Sequence, residues 1–142
     1  MNTHEDPHIT SSEAETRALG EKFAGELSPG QIVAMYGTLG AGKTQFTKGI
    51  CRYFDVSESL VSSPTFTLVN EYIGNAGSIY HFDAYRIEQV SEFFELGYEE
   101  YFFGDGICLI EWPDHIEALL PNDTIRLRFT HLGEDKREIK LV

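Results

Sequence analysis

Basic residues are scarce in this chain. Eleven lysines and arginines stand against 23 aspartates and glutamates over 142 residues, a net charge of −12. So acidic a surface repels phosphate backbones, which excludes a protein that grips nucleic acid by itself and leaves room for docking on a basic protein partner. Cysteine is scarcer still. Cys51 and Cys108 lie far apart and form no C-x-x-C pair, so both read as buried, reduced thiols of a cytoplasmic protein. No apolar run approaches the ~20 residues that cross a bilayer, so no membrane partner is expected. The opening Met-Asn-Thr-His-Glu-Asp-Pro-His is polar and acidic, unlike a signal peptide. Repeats, linkers and low-complexity stretches are missing too. The length suits one domain with a sizeable core and is too short for two. The reading is therefore one domain over 1–142 with residues 1–9 as a flexible start, and His4 and His8 in that stretch are not read as metal ligands.

What is present is concentrated at residues 37–44, Gly-Thr-Leu-Gly-Ala-Gly-Lys-Thr. This is G-x-x-x-x-G-K-[ST], the phosphate-binding P-loop, and its context is the one the motif requires. The apolar run 31–36 before it predicts a buried strand. Residues 45–54 after it place Phe46, Ile50, Tyr53 and Phe54 at helical spacing. Glycines let the backbone wrap a phosphate chain with its N–H groups pointing inward, and the helix beginning near Lys43 adds the positive end of its dipole. The Lys43 ammonium can reach the β- and γ-phosphates, and the Thr44 hydroxyl can ligate Mg²⁺. The cofactors expected are thus a nucleoside triphosphate and Mg²⁺.

The rest of the chain predicts a mixed α/β sheet flanked by helices. Ser11 and Ser12 offer an N-cap followed by Glu13 and Glu15. Ala14, Leu19, Phe23 and Leu27 then give a helical face that ends at Pro29-Gly30. Pro64 forces an extended entry to a strand over 66–72. A Gly-Asn-Ala-Gly turn joins it to a second strand over 78–83 as an antiparallel hairpin, unusual where parallel crossovers dominate. Residues 86–103 read as mostly helical, with Val90, Phe93, Phe94 and Tyr98 inward. Their many glutamates read as a solvated face or, more sharply, a docking surface. The apolar run 107–110 predicts a central strand, 114–120 a short helix, and 124–129 and 137–142 two further strands joined by a turn.

Transfer or hydrolysis of a phosphoryl group also needs an acid near the cation at a strand end. Asp83 and Glu111 both follow apolar strand residues, and ligands of α/β sheets sit at the carboxyl ends of strands. Either acid can face the γ-phosphate. Thr65, after a proline at a strand entry, can offer its hydroxyl to Mg²⁺ as switch loops do. No Asn-Lys-x-Asp occurs, which favours ATP over GTP. Arg86 is the one arginine near a candidate motif, whereas small-molecule kinases bring several to the transferring phosphate.

Four stretches together carry a resemblance: residues 37–44, Ser-Pro-Thr-Phe-Thr-Leu-Val-x-x-Tyr at 63–72, His-Phe-Asp-x-Tyr-Arg at 81–86 and Ile-Glu-Trp-Pro at 110–113. In order and approximate spacing they resemble the TsaE (formerly YjeE) family, small bacterial P-loop ATPases of tRNA threonylcarbamoyladenosine modification. The resemblance implies that Leu39, Gly40, Ala41, Gly42, Lys43 and Thr44 hold the ATP phosphates and that Thr44 ligates Mg²⁺. It further implies that Thr65 is the switch-like threonine, that Asp83 holds the Walker-B position, and that Glu111 is the metal-side or catalytic carboxylate with Trp112 beside it. Glu13 is implied near the nucleotide. Thr38 departs from the aspartate common in the family, and Ala84 from its leucine. TsaD and TsaB are the implied partners, with tRNA reached only through them and ATP hydrolysis dependent on that assembly. Two other readings of the same loop are a small-molecule kinase and a nucleotide-dependent scaffold that does not hydrolyse.

Overall fold

The computed structural model describes residues 7–38, 41–64 and 67–142. A seven-stranded mixed sheet runs through it, with helices on both faces. In chain order the strands are β1 (His8–Thr10), β2 (Ile32–Gly37), β3 (Val69–Gly74), β4 (Gly77–Asp83), β5 (Ile107–Glu111), β6 (Ile125–Gly133) and β7 (Lys136–Leu141). They lie in the order β1-β7-β6-β2-β5-β4-β3. The inner strands β6, β2, β5 and β4 are mutually parallel, and antiparallel strands close both edges. The hairpin predicted from Gly74-Asn-Ala-Gly77 is β3–β4, with Gly74 opposite Gly77. β1 was not anticipated. His8 and Ile9, inside the stretch read as a flexible start, pair with Ile139 and Glu138 of β7. Three residues are too few to show a period, so only the open edge of β7 reveals the strand.

Helices α1 (Glu13–Ala24) and α2 (Lys43–Tyr53) cover one face. Helices α3 (Val90–Leu96) and α4 (Tyr98–Phe102), with a 3₁₀ segment at Pro113–Leu119, cover the other. Strand alternation sorts the core between them. Val33, Met35, Ile79, Ile107 and Leu109 pack toward α1 and α2, while Ile32, Ala34, Phe82, Cys108 and Ile110 pack toward α3 and α4. β5 is buried along its whole length between β2 and β4, as its unbroken apolar run requires.

Three expected inner faces are corrected. On α1 Leu19, Phe23 and, just beyond the helix, Leu27 face the core as expected, whereas Ala14 is exposed and Thr16, Gly20 and Ala24 are buried as well. Glycine permits a helix crossing that no apolar stripe announces. Tyr53 and Phe94 are 47% and 53% exposed, since the last turn of α2 and the outer side of α3 meet no second layer. The helical stretch 86–103 is two helices, broken where Gly97 adopts φ +77°. Within its acidic run, Glu92 accepts the N–H groups of Glu88 and Gln89 at 2.7 and 3.0 Å and so caps α3. These bonds favour the carboxylate and lower its pKa.

Candidate functional site

β2 delivers the chain to Gly37 at its carboxyl end, and α2 begins six residues later at Lys43. Gly42, at φ +98°, is the N-cap, and no side chain caps the helix. The first N–H groups of α2 therefore keep their donor capacity, together with the positive end of the helix dipole. Lys43 is 4% exposed. Its Nζ donates to the Gly37 carbonyl at 2.7 Å and lies 3.5 Å from the centre of the Trp112 ring. Burial lowers its pKa, against the opposing pull of the Glu111, Asp83 and Asp114 carboxylates. An anion beside this lysine would stabilise its charged form.

β4 and β5 end at the same edge of the sheet. Asp83 and Glu111 are ladder partners and sit on the face toward α2, and both are buried. The Thr44 hydroxyl donates to the Glu111 carboxylate, 3.3 and 3.4 Å from its two oxygens. Asp83 is held differently. Its Oδ2 accepts from the Ser63 hydroxyl at 2.8 Å and its Oδ1 from the Tyr85 N–H at 2.9 Å. Immediately after Glu111 the chain turns at Trp112, φ +57°, and the indole packs at a tilt of 54° against the Tyr85 ring, centroids 4.8 Å apart. The single tryptophan thus forms one wall of the site with Tyr85.

These groups line one cavity of about 470 Å³. Of the residues expected from sequence, Glu13, Ala41, Gly42, Lys43, Thr44, Asp83, Glu111 and Trp112 surround it. Leu39, Gly40 and Thr65 lie outside the described residues. Sequence reasoning missed Thr16, Gln45, Ser63, Tyr85, Asp135 and Arg137, which line the same cavity. Ser63 and Tyr85 stood inside motifs already singled out. Asp135 and Arg137 come from the β6–β7 turn, far along the chain and with no motif to mark them. Arg137, not Arg86, is therefore the arginine of the site among the described residues, because β7 crosses beside Gly42.

The donor set suits a phosphate chain with a hard cation. An uncapped helix start and a buried lysine match polyphosphate. The Thr44 hydroxyl facing the Glu111 carboxylate offers oxygen ligands of the kind Mg²⁺ takes beside phosphate and water. Among the described residues no three His, Cys, Asp or Glu side chains form a ready metal cage.

The family model described as "Threonylcarbamoyl adenosine biosynthesis protein TsaE" matches residues 10–139. The tRNA threonylcarbamoyladenosine biosynthesis protein TsaE of Bacillus subtilis is 42% identical over 130 residues, covering 92% of this chain and 80% of that protein. Its namesake from Treponema pallidum is 35% identical, covering 92% and 96%, and that from Aquifex aeolicus 39% identical, covering 94% and 92%. The crystal structure of Bacillus subtilis YdiB superposes with a TM-score of 0.76 at 36% identity, covering 96% of this chain and 83% of that one. The four motifs, the strand ends that carry them and these matches together make the chain a member of the TsaE family of threonylcarbamoyl adenosine biosynthesis proteins.

Proposed function

We propose that the protein binds ATP with Mg²⁺ in this cavity and hydrolyses it, in the cytoplasm, as the nucleotide-driven component of tRNA threonylcarbamoyladenosine synthesis. Hydrolysis depends on docking with TsaD and TsaB, which hold the tRNA and its adenosine next to the anticodon. The observation that carries the reading is the meeting of Lys43, Thr44 and Glu111 at the uncapped start of α2. Lys43 neutralises the β- and γ-phosphates, and the N–H groups at the start of α2 bind their oxygens. Thr44, with Glu111 or Asp83 nearby, would hold Mg²⁺, which would supply charge neutralisation at the phosphoryl group. Glu111 orients the attacking water and takes up its proton. Trp112 and Tyr85 exclude bulk water from one side, and the nucleoside lies against Glu13, Asp135 and Arg137, which also line the cavity. The absence of Asn-Lys-x-Asp supports adenine. Arg137 is the single described arginine at the cavity, which supports hydrolysis over a kinase reaction.

Phosphate release from ATP, measured with and without TsaD and TsaB, tests the reading. Stimulated release is expected. ATP binding without release would mark a scaffold, and transfer to a small acceptor would mark a kinase. Lys43→Ala should raise the Kd for ATP at least a hundredfold, about 2.7 kcal/mol, and unchanged affinity by calorimetry would rule out this cavity as the ATP site.

A further inference from the structure

Next to Glu111 lies a chain of buried polar groups that the hydrolytic scheme does not use. His81 Nε2 is 2.5 Å from Glu111 Oε2, and His81 Nδ1 is 3.0 Å from the Tyr72 hydroxyl. His81 is fully buried and Tyr72 is 6% exposed. The strand order explains the meeting. β4 lies between β3 and β5, so a side chain at position 81 reaches Tyr72 on one neighbour and Glu111 on the other. We propose that His81, its tautomer set by Tyr72, is a positioning residue that holds the Glu111 carboxylate in the orientation used for hydrolysis.

The hydrogen bonds fix the direction of the chain. The Tyr72 hydroxyl oxygen faces two donors, the Ser62 N–H at 3.4 Å and Asn70 Nδ2 at 3.5 Å. Two acceptors compete for its own proton, His81 Nδ1 at 3.0 Å and the Ser62 carbonyl at 3.3 Å, which already accepts from Asn70 Nδ2, and the closer Nδ1 takes it. The ring then carries its proton on Nε2 and donates it to Glu111 Oε2. The opposite tautomer would turn an Nε2 lone pair toward a carboxylate, two acceptors in contact. In the assigned arrangement one carboxylate oxygen is anchored by the ring, and the carboxylate plane is fixed with respect to Thr44. A buried carboxylate without that donor would be free to rotate about its last bond, and misorientation of a reacting group costs rate more than affinity. The chain also begins in the 62–63 segment, whose second residue donates to Asp83, so the two acids share one support.

This inference rests on the hydrolytic reading of the site, and its test separates the two. Nitrogen-15 NMR of the imidazole in the nucleotide-free protein reads the tautomer without any turnover. An Nε2–H ring is expected, and an Nδ1–H ring overturns the proposal whether or not the protein hydrolyses ATP. H81Q and H81N then provide a matched pair. Glutamine places an amide donor near the Nε2 position, and asparagine cannot reach Glu111. With partners present, H81N should lose at least tenfold in kcat with KM for ATP within threefold, whereas H81Q should keep at least a third of the wild-type kcat. Tyr72→Phe, which preserves ring volume, should give a mixed tautomer and an intermediate kcat. Equal kcat in H81Q and H81N, with both folded by circular dichroism, overturns the positioning role. Wild-type protein that binds ATP but never hydrolyses it would overturn the hydrolytic reading, and the tautomer would then decide the hydrogen-bond assignment alone.

Discussion

Glu111 meets two partners through its buried side chain, the Thr44 hydroxyl and the His81 ring, and a third through its backbone carbonyl, the Ala84 N–H at 3.0 Å. A group fixed so completely acts where its charge matters most. Glu111→Gln keeps the shape and one hydrogen-bonding oxygen but loses the negative charge. It should hold ATP within about tenfold, or about 1.4 kcal/mol, while partner-stimulated hydrolysis falls on the order of a hundredfold. Calorimetry and phosphate release on the same preparation read the two quantities. Loss of ATP–Mg²⁺ binding in step with activity would make Glu111 a ligand of the cation first and shift the hydrolytic role to Asp83 or a partner. The residue types and their strand-end positions were visible in the sequence. The difference between the two acids was not, because it lies in their neighbours: Thr44 and His81 for one, Ser63 and the Tyr85 N–H for the other.

The crossing of α1 on α2 brings Glu13 and Thr16 to the cavity. It is possible only because two glycines face each other's helix. A Cβ at Gly20 would lie 2.3 Å from the Phe46 carbonyl oxygen, and one at Gly49 would lie 1.9 Å from that of Arg17. Backbone atoms cannot swing aside as a flexible side chain can. Gly49→Ala should therefore push the helices apart and destabilise the fold by about 3 kcal/mol, near the upper end of overpacking effects. Urea denaturation checks it. ATP affinity should weaken in the same variant, because α1 forms part of the cavity wall. Stability within 0.5 kcal/mol of wild type would show that the crossing yields easily. The helix itself was legible from its N-cap, since Ser12 accepts the Glu15 N–H at 3.0 Å as its position suggests. Its inner face was legible in Leu19, Phe23 and Leu27 but not at Gly20, because glycine carries no hydrophobic signal.

The charge of −12 belongs to the whole molecule. Alone, at physiological salt, it should bind tRNA negligibly, and a clear gel shift at micromolar protein would overturn the division of labour proposed with TsaD and TsaB. Stability has its own pH dependence. Burial pushes the Cys51 and Cys108 thiols, one in each core layer, up to about 12 from 9.0. Burial, with Glu117 adding, pushes the Tyr36 phenol up to about 12 from 10.0. The folded state keeps these protons where the unfolded chain releases them. Stability is therefore complete below pH 9 and falls as pH rises from 9 toward 12. Each thiol should cost roughly 1 kcal/mol by pH 10. Lys43 runs the other way, since burial penalises its charged form, and one such group offsets part of the loss from three. Urea midpoints at pH 7.5 and 10 test the balance, and equal midpoints would contradict it.

Local pattern alone determined a great deal here. The glycine loop, the strand before it and helix after it, the β3–β4 turn and the acids at two strand ends follow from residue type and period, properties a short stretch carries by itself. The tertiary structure decided what depends on distant stretches meeting. It seated β1 on the edge of β7, set α1 against α2 through two glycines, brought Asp135 and Arg137 to a cavity begun a hundred residues earlier, and placed β4 between β3 and β5 so that Tyr72, His81 and Glu111 join in one hydrogen-bonded line. Strand order has no local signature, because a strand's own residues encode which face is buried but not which strand will lie beside it.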